Sequence, residues 1–134
     1  MAVVPHTIDI VVADMGAALR FYRTLGLHVP DDQDGEDQVQ IATEGGATLG
    51  FVTEKMMKAV NPYWEQPVGQ RVTFACRCDS PAEVDETYAR VTAAGYEARQ
   101  EPWDAFWGQR YAMLSDADGN RVDLFAAIAP EGRE

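Results

Sequence analysis

Thr7-Ile8-Asp9-Ile10-Val11-Val12, then Asp14, then Ala18, Leu19, Phe21, Tyr22 and Leu25, then Gly26: this run sets the pattern for the whole chain. Its first six residues are mostly β-branched and too few for a helix, so they read as a strand. Asp14 stands where a helix needs a side-chain acceptor for its first free N–H groups. The apolar residues after it recur every three or four positions, which predicts an amphipathic helix of about three turns. Gly26 stops it, as a C-terminal glycine does. Beyond an acidic loop, residues 39–42 read as a strand, Gly45-Gly46 as a hairpin turn and 47–53 as the next strand.

The same pattern returns from Arg71. Residues 72–78 read as a strand, and Asp79-Ser80-Pro81-Ala82-Glu83 opens a helix with proline in its first turn. Val84, Tyr88, Val91 and Ala94 supply its apolar stripe, and Gly95 ends it. Strands are then predicted at 96–100, 109–114 and 121–126, the last two joined by the turn-forming Asp116-Ala117-Asp118-Gly119-Asn120. Asp14 and Gly26 correspond to Asp79 and Gly95, so an internal duplication explains both passes. Residues 54–68 join the halves, with Met56-Met57 on a short helix ended by Asn61-Pro62. The expectation is an α+β chain of one domain, 1–134, made of two tandem βαβββ modules at about 1–60 and 70–130. The modules would form a curved mixed sheet around a ligand trough.

Composition bounds the function. A chain of 134 residues with 46% hydrophobic and 25% charged residues can bury a core without disulfides. Cys76 and Cys78 lie two apart on a strand, a poor geometry for bonding to each other, and no second pair completes a zinc site. They are expected to be buried thiols. A net charge of -11 disfavours nucleic acid and anionic membranes and favours an amine-bearing ligand, although solubility alone also accounts for it. No basic leader precedes an apolar run, and no run approaches the length of a membrane span, so a cytoplasmic location is expected.

Two segments carry a family resemblance: Asp14-Met15 through Phe21-Tyr22-Arg23-Thr24-Leu25-Gly26-Leu27, and Asp116 through Asn120-Arg121-Val122-Asp123-Leu124-Phe125. With the strand order, they resemble the vicinal oxygen chelate superfamily of glyoxalases, extradiol dioxygenases and bleomycin-resistance proteins. Metal-using members carry His or Glu on four strands facing the trough. The resemblance puts Thr7, Gly50, Thr73 and Asp123 at those positions, which implies no metal and no cofactor. His6 is one residue out of register, and His28 follows the first helix; both read as surface or capping histidines.

The segment from Pro102-Trp103 through Trp107-Gly108-Gln109-Arg110-Tyr111-Ala112 resembles the metal-free, drug-binding branch, that of the mitomycin-resistance proteins, as do Asn61-Pro62-Tyr63-Trp64 and Ala93-Ala94-Gly95-Tyr96-Glu97. That resemblance implies a ligand stacked between aromatic groups, with Trp107 as one wall and Gln38 where an aromatic-like His would oppose it. Tyr111 would pack beside Trp107, and Phe51 and Phe125 would line the site. Asp9, Gln38, Gln40, Arg110 and Asp123 would give polar contacts. Trp103 and Phe106 read as a core cluster or a dimer interface. The function implied is capture of a planar aromatic or quinone-like natural product, an antibiotic, by a homodimer that performs no chemistry. The alternative is a lyase, isomerase or dioxygenase with an atypical or absent metal site, with Asp9 or Asp123 as general base.

Overall fold

The computed structural model describes residues 3–69 and 72–129. Arg71, from which the second pass is counted, lies outside them. The chain divides into two compact units, Met1–Arg23 with Leu27–Pro67, and Thr24–Gly26 with Val68–Glu134.

The first unit contains β1 (Thr7–Val12), α1 (Met15–Leu25) as far as Arg23, β2 (Gln38–Ala42), β3 (Thr48–Thr53) and α2 (Glu54–Val60). Asp14 caps α1 as expected, its Oδ1 accepting the Ala17 N–H at 3.0 Å. Gly26 follows the helix at φ +122°, a conformation that favours glycine. The sheet order is β1-β3-β2, with β1 parallel and β2 antiparallel to β3. A parallel pair needs a crossover, which α1 provides. Alternation then divides the sheet. Val12, Val39, Leu49 and Phe51 are buried on one face, where the Tyr22 ring of α1 meets Phe51 at 5.0 Å. Asp9, Gly50, Gln38 and Gln40 occupy the other.

The second unit contains β4 (Phe74–Arg77), α3 (Pro81–Ala93), β5 (Ala98–Asp104), β6 (Gln109–Ser115) and β7 (Arg121–Ala127), in the sheet order β4-β7-β6-β5. Ser80 Oγ accepts the Glu83 N–H at 3.2 Å, and the Glu83 carboxylate reaches back to the Asp79 N–H at 2.6 Å, a near relative of the capping box. Helix α3 buries Val84, Thr87 and Val91 on its sheet side. Ala112, Leu114, Val122, Leu124 and Ala126 are buried on the corresponding face of β6 and β7. Each buried Val or Leu side chain contributes about 1.5–3 kcal/mol, so this layer fixes the sheet against the helix.

Two sheets of mixed strands, with seven strands and three helices among the described residues, bear out the two-module α+β expectation. The first unit has three strands among the described residues, and α2 follows β3 directly. The turn at 116–120 forms as read: Asp116 Oδ1 accepts the N–H groups of Asp118 and Asn120 at 2.9 and 2.8 Å. One element differs. Strand β5 runs to Asp104, so Trp103 lies within a strand that Pro102 would ordinarily interrupt. β5 is an edge strand with register shifts between Ala98 and Trp103, where proline loses no ladder bond that the sheet requires. No helix of the described residues is long and apolar enough to cross a membrane.

Candidate functional site

The face of the second sheet that α3 leaves uncovered carries a row of aromatic residues. Strand register pairs Trp103 with Tyr111 and Tyr111 with Phe125. The Tyr111 and Phe125 rings stack at 6.4 Å and 26°, and Trp103 meets Tyr111 edge-on at 5.6 Å. Trp107 comes from the short β5–β6 turn, closed by the Ala105 N–H on the Gln109 carbonyl at 2.8 Å, with Gly108 at φ +90°. Its indole stands perpendicular to both Tyr111 and Trp103, at 5.3 and 6.0 Å. The indole N–H donates to Gln109 Oε1 at 2.7 Å. Trp107 remains 47% exposed, so it is anchored by its neighbours and still presents aromatic surface to solvent. Phe106 beside it is 97% exposed, which removes it from any core of this unit.

Beneath this row lies Asp123, wholly buried on β7. Arg121 holds its carboxylate with two bonds, Nε to Oδ1 at 2.8 Å and Nη2 to Oδ2 at 2.9 Å, and the Tyr111 hydroxyl donates to Oδ2 at 2.6 Å. A buried carboxylate is tolerable only with such partners. Burial, and then the bond to Asp123, pushes the Tyr111 phenol up to about 12. Tyr111 is therefore a neutral, fixed donor at physiological pH. Asp123 has its charge balanced and both oxygens engaged, an arrangement suited to holding the aromatic row and unsuited to abstracting a proton.

The open face of the first unit is polar. Asp9, Gly50 and Gln40 form one cross-strand row, and Gln38 belongs to the next, opposite Val52. A Cβ at Gly50 would lie 1.9 Å from Asp9 Oδ1, so the carboxylate lies across the bare glycine backbone toward Gln40. Asp9, Gln38 and Gln40 are all exposed.

Of the nine residues expected to contact ligand, Trp107, Tyr111, Phe125 and Asp123 come together on one face of the second unit. Asp9, Gln38 and Gln40 come together on the first. Phe51 and Arg110 do not join either set. Phe51 is fully buried against Tyr22, and Arg110 faces away from Tyr111, its Nε on Asp85 of α3 at 3.0 Å and its Nη1 on Asp104 at 3.1 Å. Sequence reading missed Arg121 and Gln109. Arg121 had a signal, two residues from Asp123 on one strand and so on the same face.

The positions implied for metal ligands do not fit a divalent ion. Thr7 bonds His6 Nδ1 through its hydroxyl at 2.6 Å, Gly50 has no side chain, Thr73 precedes β4, and Asp123 is engaged by Arg121 and Tyr111. Among the described residues, no three His, Cys, Asp or Glu side chains are grouped as a metal site. His6 and His28 are exposed.

Against known proteins, residues 4–124 match the family model of the glyoxalase/bleomycin resistance protein/dioxygenase superfamily. The chain belongs to that superfamily. Comparison with curated proteins gave no match. Among solved structures, a hypothetical protein from Staphylococcus aureus is 23% identical with a TM-score of 0.77, covering 95% of each chain. A family enzyme from Burkholderia phytofirmans is 18% identical with a TM-score of 0.79, covering 91% of this chain and 97% of its own. A lactoylglutathione lyase from Agrobacterium tumefaciens is 25% identical with a TM-score of 0.67, covering 92% of each.

Proposed function

We propose that this protein captures a planar aromatic or quinone-like small molecule on the open face of its second unit and holds it without chemistry, as the metal-free, drug-binding branch of the superfamily does. The observation that carries this is Trp107: half-exposed, braced edge-on by Tyr111 and Trp103, and with its N–H already satisfied by Gln109. An indole so held offers its ring for stacking and needs little ordering on binding, which favours affinity. The physiological ligand on this reading is an antibiotic-like natural product, sequestered to protect the cell, and the working form is a homodimer. Asp9, Gln38 and Gln40 make a second, polar candidate surface on the first unit.

Trp fluorescence titration with mitomycin C and simple planar quinones tests the reading. Saturable quenching, weakened at least tenfold in Trp107→Ala, is expected. An equal response in that variant would contradict it.

The likeness to a lactoylglutathione lyase favours one second reading, a lyase or isomerase with an atypical metal site. Elemental analysis of protein purified without chelators separates the two, since one equivalent of bound transition metal would support the enzyme and oppose the binder.

A further inference from the structure

We infer that the ligand of the second unit's open face is a planar aromatic anion, with Arg77 receiving its acidic group. This rests on the binding reading above and adds the chemical class. Strand register places Arg77 beside Phe125, Phe125 beside Tyr111 and Tyr111 beside Trp103, so one row crosses all four strands from a guanidinium to an indole. Adjacent strands lie about 4.8 Å apart, which makes the row about 14 Å long, the span of a two- or three-ring molecule with a substituent at one end.

Charge decides the sign of that substituent. Asp123 and Arg121 neutralise each other, whereas Arg77 is exposed and has no ion pair among the described residues. Arg99 on the same face is also without an ion pair among the described residues, but it is held away from the aromatic row by Ser115 Oγ and the Gly119 carbonyl, which leaves Arg77 as the guanidinium that ends that row, although the chain as a whole is at -11. The global charge favours an amine-bearing ligand, but surface charges more than about 8 Å away are largely screened at physiological ionic strength. A guanidinium at contact outweighs them. Its planar fork also matches a carboxylate with two parallel hydrogen bonds and can stack on an aromatic face, which suits the acid group of a planar ring.

Calorimetric titration of the full chain with anthraquinone-2-carboxylate, its carboxamide and 2-(aminomethyl)anthraquinone tests this. The carboxylate is expected to bind about tenfold more tightly than the carboxamide. That preference should vanish in Arg77→Gln, persist in part in Arg77→Lys, and shrink as salt is raised, while carboxamide affinity stays constant. Equal affinity of carboxylate and carboxamide in the parent chain would overturn the anion assignment and leave the binding reading intact. Tightest binding of the ammonium, or a preference that survives Arg77→Gln, would do the same. If none of the three binds, the binding reading fails and this inference fails with it.

Discussion

Asp123 shows how one residue's surroundings decide what it can do. Its carboxylate is wholly buried, yet Arg121 and Tyr111 give it three hydrogen bonds, so it acts as a structural anion. Removing Arg121 would leave that charge with one neutral donor. Arg121→Met is expected to cost about 3 kcal/mol in urea unfolding, and Asp123→Leu added to it should recover most of that loss. A double variant no more stable than the single one would show that the pair is not the source of the cost. Tyr111 gives a pH signature. Its phenol is raised from 10 to about 12, chiefly by burial, so the folded state favours the protonated form. That contribution is complete below pH 10 and is lost as pH rises from 10 toward 12. Parent protein should therefore lose more stability over that interval than Tyr111→Phe, and parallel loss in both would refute the assignment. Cys76 and Cys78 are half-buried and not the fully buried thiols expected, yet desolvation still pushes the Cys76 thiol up to about 12, in keeping with an unreactive cysteine on the α3 side of the sheet.

At the scale of elements, the helix starts and stops were legible because their chemistry is local. Asp14 and Ser80 accept the first free N–H groups, and Gly26 and Gly95 take positive φ at the ends. Ser80→Ala should cost about 1 kcal/mol by removing the acceptor for Glu83, and Ser80→Asp should restore it. Equal stability of all three would mean that the cap contributes nothing. Less legible was which residues share a face. Gly50 and Phe51 are adjacent, as are Arg110 and Tyr111, so neither pair can point into one site from a regular strand. Only the covering helix says which member is inside. Tyr22 on α1 takes Phe51, and Asp85 on α3 takes Arg110. The length of β5 was hidden for another reason: Pro102 reads as a strand breaker, and only its place on a bulged edge makes it harmless.

Across the whole molecule, the family was readable from two short segments, and the family model covers residues 4–124. The fold so assigned hosts many chemistries and does not choose a ligand. That choice rests on side chains: the engaged Asp123, the threonines and glycine at the positions implied for metal ligands, and an exposed indole on an aromatic row. Net charge pointed toward an amine, whereas the local row ending at Arg77 points toward an acid. On the proposed reading, a planar ligand docks on the second unit at Trp107. The most direct test is an NMR titration of ¹⁵N-labelled protein with a planar quinone, following the Trp107 indole N–H, identified by its loss in Trp107→Phe. Saturable shifts are expected at that signal and at the amides of Gln109, Tyr111 and Phe125. Saturable shifts confined to other residues, with the Trp107 signal unmoved, would contradict it.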